Sequence, residues 1–516
     1  MQKNSILFVV VSAFTIFIWY FFLTPQKKQP YQQFEQPRNV SADLNSYEVK
    51  NTDLNKNVID DISKEEQITV KTEQYKVILT NRGAAVLNWS IKEKDGKWVD
   101  LVFPESAPAM ANFPGSIYKI TAKSNKKIVF EYSSIEGWKI TKTYNFSDFY
   151  MHNLNISIEK AKRTVLPHIE LEWGPGLGTD NKELKENISL TRVLAYTEAK
   201  PNKLKKLKTS SEIASIHKWT AIDNRYFLVA FIPEKPVDFD KITPLRLDKN
   251  HPYSVTLTAK VPQDINKKSY SIDFYIGPKG YTYLKTYNLG LEKTVDFGFF
   301  GILGKTAFAV LAFFHKITRN YGWAIMILAV AIQILVFPLT LKSFKSTAAM
   351  KRIQPIIKDI QTKYKDNPQR LQAEMLNVYR TQKANPLSGC LPMLLQLPIF
   401  WAFFTMLRNA YELRNEGWIL WIKDLSTSDQ FMHLGFFNLN LLPLIMGIGM
   451  FLQQRMTAVT SDPMQKRIMY IMPVVFTFMF WSFPSGLVLY WLTNSIISMI
   501  EQYFTIKKNA TYIKHV

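Results

Sequence analysis

Residues 323–341 read WAIMILAVAIQILVFPLTL, an apolar run with no charged side chain and a single amide, Gln333. At ~1.5 Å per residue, a helix of this length reaches about 28 Å, close to the ~30 Å hydrocarbon core of a bilayer. The run therefore predicts a membrane-spanning helix.

Similar runs follow in the C-terminal part of the chain. They predict four further spans, at Leu387–Leu407, Phe436–Leu452, Ile468–Phe483 and Ser485–Phe504. The last two are separated by Phe483-Pro-Ser-Gly486, where proline and glycine favour a hairpin turn. We therefore expect a core of five transmembrane helices over residues 323–508, followed by a tail of residues 509–516.

The N-terminal part predicts an anchor and a linker. Ile6–Leu23 is apolar and ends without a small-residue cleavage pattern, so residues 1–23 are expected to form an uncleaved transmembrane signal anchor. Residues 24–67 are rich in Gln, Asn, Asp and Pro, which is typical of a flexible linker.

Loop charges predict the orientation of the spans. Residues 342–386 hold ten Lys/Arg and three acids, and residues 453–467 hold three Lys/Arg and one acid. Residues 409–435 instead hold two Lys/Arg and four acids. Because basic loops stay on the cytoplasmic side, we expect both termini in the cytoplasm and residues 24–296 outside it.

Phe297–Phe314 is also apolar enough to span. A span there would force the ten-cation loop to the outside, and three glycines and Lys305 interrupt the run. We therefore predict that residues 297–322 form an amphipathic helix, which lies in the interface on the outer side of the membrane, and a segment that connects it to the next helix.

The segment before it predicts a β domain. Short alternating runs such as Tyr75-Lys-Val-Ile-Leu recur from Ile68 to about Pro278, with turn signals at Asn81-Arg-Gly83 and Asp95-Gly96. About fifteen such runs predict a large antiparallel β-sandwich, a supersandwich, over residues 68–296.

The formal net charge of +22 first suggests nucleic-acid binding. Residues 24–296 hold 41 Lys/Arg and 33 Asp/Glu, an excess of 8 spread without an arginine-rich stripe. Most of the remaining excess lies in short loops between apolar runs, where the positive-inside bias explains it. We expect no specific nucleic-acid partner, while the basic loops leave contact with ribosomal RNA open.

The side chains that usually carry chemistry do not form clusters in the sequence. The single cysteine, Cys390, excludes intramolecular disulfides and cysteine-cluster metal sites, and its apolar surroundings predict a buried structural thiol. Histidines are scattered, and no paired carboxylates stand out in the β domain. We therefore expect no catalytic residues, no metal site and no cofactor, and thus not an enzyme.

The basic loop of residues 342–386 predicts a cytoplasmic helical hairpin. Ile353, Ile356, Ile360 and Tyr364 recur at helical spacing, as do Leu371, Met375 and Val378. Between them, Asp366-Asn-Pro368 predicts that the first helix ends at Asp366, that Asn367 caps the second helix and that Pro368 lies in its first turn. The hairpin is either a solvated structural loop or a docking surface. The candidate docking residues are Lys351, Arg352, Lys358, Arg370, Arg380 and Lys383.

Polar side chains within the spans have two interpretations. They either hydrogen-bond between helices or line a shared hydrated groove that stops partway through the bilayer. The candidate groove residues are Gln333, Gln396, Gln453, Thr477, Trp491, Asn494 and Ser495.

Several blocks of sequence, in order, resemble the YidC/Oxa/Alb insertases over the whole chain. In the helical part these are Phe337-Pro-Leu-Thr340, Met350-Lys-Arg-Ile-Gln-Pro355, Asn385-Pro-Leu-Ser-Gly-Cys-Leu-Pro392, Gln396-Leu-Pro-Ile-Phe400, Leu420-Trp-Ile-Lys-Asp-Leu425, Asp462-Pro-Met464 and Phe483-Pro-Ser-Gly-Leu487. Asn81-Arg-Gly83 and Tyr275-Ile-Gly-Pro278 resemble the outer domain of the Gram-negative branch.

The resemblance implies a multi-pass protein of the bacterial inner membrane whose five-helix core forms a groove open to cytoplasm and lipid. Its expected partners are nascent integral membrane proteins, components of the Sec translocon, the ribosome, targeting factors and membrane lipids. Family members usually carry an arginine in the groove where this chain has Gln333, and many carry a tyrosine where it has Trp491. Without that arginine, the groove cannot attract an acidic tail of a substrate by its charge. We therefore expect that hydration of the groove drives insertion.

Two other functions remain open at this point. An assembly chaperone without autonomous insertion could use the same groove. A channel or secondary transporter would be expected to show internal repeats or a charged coupling residue within the spans. No repeat is visible, and the one acid within the predicted spans is Glu501, near the inner end.

Overall fold

The computed structural model describes residues 65–103, 106–160, 168–178, 188–197, 203–208, 217–239, 241–246, 252–259, 267–382, 391–433, 438–457 and 463–514. The predicted anchor (1–23) and nearly all of the predicted linker (24–67) lie outside these ranges. The described residues form a β domain followed by a helical domain.

Sixteen strands build the β domain within the described ranges. They are β1 (Gln67–Lys71), β2 (Tyr75–Thr80), β3 (Ala85–Lys92), β4 (Trp98–Asp100), β5 (Lys119–Lys123), β6 (Lys127–Ser133), β7 (Trp138–Asn145), β8 (Met151–Lys160), β9 (Ile169–Trp173), β10 (Arg192–Thr197), β11 (Lys203–Leu207), β12 (Trp219–Asp223), β13 (Phe227–Pro233), β14 (Lys241–Leu245), β15 (Ser254–Ala259) and β16 (Lys267–Pro278). In β7 every second side chain is buried, because alternate residues of a strand point to opposite faces.

The strands of the β domain form sheets of nine, four and three strands. In the nine-stranded sheet, β16 pairs antiparallel with β13 on one side and with β8 on the other. Trp89 of the four-stranded sheet packs edge to face on Phe274 of β16, with ring centroids 5.9 Å apart. The apolar faces of two sheets therefore meet, which confirms the predicted antiparallel sandwich.

Eight helices follow in the described part of the chain. They are α1 (Tyr281–Thr286), α2 (Gly301–Thr318), α3 (Tyr321–Lys363), α4 (Pro368–Thr381), α5 (Leu391–Asn409), α6 (Leu441–Thr457), α7 (Pro463–Met479) and α8 (Ser485–Lys514). Within the described residues, the Tyr321–Phe344 part of α3 is long and apolar enough to cross a membrane, with a mean hydropathy of 2.5. Met469–Ser482 is a shorter apolar helical segment.

At two predicted boundaries the structure has a helix that continues without a break. Helix α3 runs for 43 residues, through Pro338 and Pro355, so the span and the first arm of the hairpin are one helix. Residues 342–354 contain neither glycine nor proline, so no helix breaker separates the two parts at Leu341. Helix α8 likewise continues past the predicted end of the core, to Lys514.

The hairpin forms as predicted, with one change in its packing face. Asn367 caps α4 by accepting a hydrogen bond from the backbone N of Arg370 at 3.0 Å, and a proline begins the helix. Ile353 and Ile357 form the buried centre, whereas Ile356 is 42% exposed. The residue that packs in the hairpin at this point is therefore Ile357 and not the predicted Ile356.

The predicted interfacial segment contains α2, which begins and ends four residues later than the apolar run of residues 297–314. Phe299, Ile302 and Ile317 expose 95%, 88% and 65% of their surface. Leu311 on the same helix is fully buried. Helix α2 thus has one face packed on protein and one apolar face directed outward, as expected of an amphipathic helix at a membrane interface.

A buried ion pair joins the β domain to the loop of residues 410–431. Arg414 donates through Nε to Glu93 Oε1 at 2.5 Å, and the two side chains are only 7% and 5% exposed. The Arg414 guanidinium also lies 4.6 Å from the centre of the Tyr226 ring. A second pair, Lys94 with Glu416 at 2.7 Å, lies beside it on the surface. The loop is therefore fixed to the β domain.

A second charged cluster lies where the β domain leads into α1. Lys279 is 3% exposed and donates to Asp223 Oδ2 at 3.0 Å. Arg192 binds the same carboxylate, at 2.5 Å. Burial, reinforced by the nearby Arg192 charge and opposed by Asp223, lowers the pKa of Lys279 to about 8.

Candidate functional site

Helices α3 and α8 lie side by side and run in the same direction. A methyl group built on Gly486, at the start of α8, would lie 3.2 Å from Cδ1 of Ile325, near the start of α3. Further along both helices, Gln333 of α3 meets Ser498 of α8. The contact positions advance together, so the helices are parallel.

Gln333 lies in this contact. Its Nε2 donates to Ser498 Oγ at 2.7 Å, and the residue is only 6% exposed. Thr340 and Ser343, about two and three turns further inward on α3, are 6% and 3% exposed. Three of the four buried side chains of α3 over residues 333–344 are therefore polar, and the fourth is Phe344.

Helix α8 carries a matching set of polar residues. Asn494, Ser498, Glu501, Gln502 and Thr505 recur at helical spacing along one side, and we call them the inner polar face. Asn494, Gln502 and Thr505 are 8%, 2% and 9% exposed, and Ser498 and Glu501 are half-buried. The face is thus sheltered by neighbouring helices.

Several atoms of this region have unused hydrogen-bonding capacity. Glu501 Oε2 and Gln502 Oε1 on α8, and Gln454 Oε1 on α6, are buried without a partner among the protein atoms described. A buried polar atom without a partner costs about 1–3 kcal/mol. Water or polar groups of a bound chain would remove that cost.

The polar groups of three helices lie at a common depth. Helices α3, α6 and α8 all begin against the loop of residues 409–435. The contacts are Asn320 Nδ2 to Gly417 O at 3.1 Å, Leu442 N to Asp429 Oδ2 at 2.8 Å, and Ser485 N to Thr427 O at 2.6 Å. Gln333, Gln454 and Ser498 follow twelve or thirteen residues later in their helices, which places them about 18–20 Å inward.

Between this level and the loop of residues 409–435, aromatic side chains fill the bundle. Tyr490 is fully buried, stacks on Phe403 with centroids 4.4 Å apart, and binds Gln396 Nε2 at 3.0 Å. Trp491 packs edge to face on Phe400 of α5 at 5.3 Å. Trp491 precedes Ser498 by two helical turns on the same side of α8. Gln396 and Trp491 therefore both belong to this aromatic layer.

The other candidate groove residues have different surroundings. Thr477 on α7 donates to Pro473 O at 2.8 Å, and a methyl group on Gly447 would overlap its Oγ1. It lies in the α6–α7 contact and is not brought to the α3–α8 contact. Ser495 is 4% exposed on α8, and Gln453 is half-buried on α6.

Ser498, Gln502 and Gln454 were not predicted as groove residues, and Glu501 was predicted only to lie near the inner end of a span. A single polar residue within an apolar run does not show which side of the helix it shares with other polar residues. The repeating spacing of residues 494, 498, 501 and 505 would have identified a polar helix face.

Four of the candidate docking residues of the hairpin are exposed: Arg352, Lys358, Arg370 and Arg380. The side chain of Lys351 and the whole of Lys383 lie outside the described part of the chain. In the described residues, no group of three metal-ligating side chains comes together.

Comparisons with known proteins identify both domains. Residues 313–512 match the family model described as 60Kd inner membrane protein, and residues 101–310 match the YidC periplasmic domain. The chain is 72% identical over 519 residues to the membrane protein insertase YidC of Endomicrobium trichonymphae, with 100% of both chains covered. It is 31% identical to the YidC insertase of Syntrophus aciditrophicus, covering 98% of this chain and 100% of that protein.

Among solved structures, the chain is similar to an active YidC insertase crystallised with its first transmembrane domain resolved. The TM-score is 0.40 at 20% identity, over 85% of this chain and 92% of that one. The full-length identity to curated relatives and the two adjoining domain models lead to one assignment. The chain belongs to the YidC family of membrane protein insertases, with a periplasmic β domain and a C-terminal helical membrane domain.

Proposed function

We propose that this insertase moves polar segments of nascent integral membrane proteins partway across the inner membrane through a hydrated groove between α3 and α8. The observation that carries this proposal is the polar contact of Gln333 with Ser498, next to buried polar atoms that have no partner among the residues described. The groove opens toward the cytoplasm and ends at the aromatic layer around Tyr490 and Trp491.

The energetic role of the groove is to replace lost hydration. A polar backbone or amide group moved into hydrocarbon without a hydrogen bond costs roughly 2–7 kcal/mol. Amides such as Gln333 and Gln502 can both donate and accept hydrogen bonds, so they suit segments of varied sequence. A groove that stops partway also shortens the remaining apolar distance that the segment has to cross.

Release into the lipid is favoured by the outer surfaces of the same two helices. On α3, Ile334 and Leu335 are 68% and 79% exposed, directly beside Gln333. On α8, Ile496 and Ile500 are 43% and 51% exposed. A substrate helix that leaves the groove along these surfaces enters lipid, gaining ~25 cal/mol per Å² of apolar surface removed from water. The protein itself consumes no nucleotide in this scheme.

The domain joint supports the proposed orientation. The loop of residues 409–435 is acidic and is bound to the periplasmic domain through Arg414 and Glu93, so we place it on the periplasmic side. The basic hairpin is then cytoplasmic, as are both termini. In this orientation the exposed cations of the hairpin can meet the ribosome, nascent chains or targeting factors, and the groove can receive chains beside the Sec translocon.

Reconstitution tests the proposal. The purified full-length protein would be placed in liposomes and supplied with a small single-span substrate, and insertion would be measured by protease protection. We expect insertion well above that of empty liposomes. Insertion equal to that of empty liposomes, with faster folding of chains already in the bilayer, would instead identify an assembly chaperone.

A further inference from the structure

Glu501 places an ionisable carboxyl group on the inner polar face of α8. Among the groove residues that the structure describes, it is the one with an ionisable side chain, because the others are amides and hydroxyls. It follows Ser498 by three residues and therefore lies about one turn further inward on the same side of the helix.

The carboxylate of Glu501 has no partner in the described structure. Its Oε2 is buried without a hydrogen bond, and the hydroxyl of Thr505 donates to the backbone O of Glu501 and not to its carboxylate. Lys342 in the middle of α3 and Arg455 near the end of α6 are exposed, and neither forms an ion pair with Glu501 in the described residues. Among the side chains that the structure describes, no cation neutralises this carboxylate.

An unpaired carboxylate in a sheltered site favours particular partners. It binds ammonium, guanidinium, amide and hydroxyl donors, and it repels a second carboxylate more strongly than it would in open water. Gln333, on the facing helix, has no charge that would offset this repulsion. At the depth of Glu501, acidic segments of a substrate are thus repelled, whereas neutral and basic segments can donate a hydrogen bond to the carboxylate.

We propose that Glu501 makes this groove selective for substrate segments that are neutral or positively charged, and unfavourable for acidic ones. This inference rests on the proposed function, since it assigns a substrate class to the same groove. The competing explanation is that Glu501 is a solvated residue near the point where α8 leaves the membrane. In that case the charge of the translocated segment would make no difference.

The test uses single-span substrates that differ only in a short translocated tail, rich in Asp, Asn or Lys. Full-length protein in neutral phosphatidylcholine liposomes, at pH 8 and without a membrane potential, removes other sources of charge preference. We expect the Asn and Lys tails to insert about threefold or more better than the Asp tail. In Glu501→Gln the Asp tail should approach the Asn tail, whereas Glu501→Asp should keep the preference.

Glu170→Gln is the matched control, because Glu170 is an exposed glutamate on β9 of the periplasmic domain, and it should behave like the wild type. Equal insertion of the three tails by the wild-type protein would overturn the inference and leave the insertase function intact. So would an unchanged preference in Glu501→Gln. No insertion of any tail above empty liposomes would overturn the proposed function, and the inference with it.

Discussion

Gln333 of α3 donates a hydrogen bond to Ser498 of α8 at 2.7 Å, in a contact that shields Gln333 from the surface almost completely. The side chain is therefore neither turned to the acyl chains nor placed in an apolar core. Gln454, Glu501 and Gln502, on the helices that meet here, have buried polar atoms without a partner in the described part of the chain. Polar groups with spare hydrogen-bonding capacity, in the inner half of an otherwise apolar bundle, are the physical basis of the proposed groove.

Replacing Gln333 by Leu should lower the insertion of substrates with polar tails. Leucine keeps the volume but removes both the donor to Ser498 and the acceptor available to water. Insertion measured in cells depleted of their own insertase should fall several-fold, while Gln333→Arg should preserve or improve it. The matched control is Ile334→Leu, since Ile334 is 68% exposed on the outer side of α3. Unchanged insertion by Gln333→Leu would contradict a role for this side chain.

Replacing Gln502 by Leu should raise the stability of the bundle but lower its insertion activity. Gln502 is 2% exposed and its Oε1 has no partner among the described residues, so an apolar side chain of similar size should stabilise the bundle by about 1 kcal/mol. The same change removes a polar group from the groove and should lower insertion. Thermal unfolding in detergent and insertion in liposomes would be measured on the same preparation. A variant that is less stable and fully active would show that Gln502 is a structural residue.

The buried pair of Glu93 and Arg414 should hold the periplasmic domain to the outer loop. Arg414→Met leaves the Glu93 carboxylate buried and unpaired, which should cost about 3–5 kcal/mol of the free energy of unfolding at this joint. Adding Glu93→Leu should restore most of that loss. Urea unfolding monitored by limited proteolysis of the loop at residues 410–431 measures the effect.

The matched control for this joint is Lys126→Met, which breaks the exposed pair with Asp148. Its effect should be slight, because exposed pairs contribute little. Equal effects of Arg414→Met and Lys126→Met would show that burial of the Glu93–Arg414 pair does not govern the joint.

The stability of the periplasmic domain should rise with pH on the alkaline side of neutrality. The pKa of Lys279 is about 8 in the folded chain, against an ordinary value of 10.5, chiefly because the side chain is buried. Between these two pKa values the unfolded chain binds more protons than the folded one, so the free energy of unfolding increases with pH. From pH 7 to pH 9 the gain should be about 1 kcal/mol.

Pulse proteolysis in urea would measure this pH dependence. In Lys279→Met the rise should disappear, while Arg192 keeps Asp223 paired. A fall in stability over the same pH range, or a rise that persists in Lys279→Met, would rule out this lysine as the cause.

The fold could be predicted from the sequence where a local pattern decides it. A few consecutive residues are enough to recognise the alternating side chains of β7, the cap at Asn367 and the polar Gln333 within an apolar run. The partner of Gln333 was not predictable, because Ser498 lies 165 residues away and only the packing of α3 on α8 brings them together. The Glu93–Arg414 pair joins two domains across 321 residues, and no local signal indicates it.

Helix ends and contact faces were predicted less well for a different reason. Helix α3 continues past the predicted span because residues 342–354 contain no glycine or proline, although the polarity of the sequence changes after Leu341. Thr477 was predicted to line the groove because of its polarity, whereas the structure places it against Gly447 between α6 and α7. Polarity alone does not show which neighbouring helix a residue contacts.

Water access to the inner polar face tests the account most directly. In full-length protein with Cys390→Ser, which removes the chain's single cysteine, Ser498→Cys and Gln502→Cys would be compared with Ile334→Cys and Ile500→Cys. A membrane-impermeant maleimide added from the cytoplasmic side reacts with thiolates, which form in water. We predict about tenfold faster labelling at positions 498 and 502 than at positions 334 and 500. Equal protection of all four positions would contradict a hydrated groove.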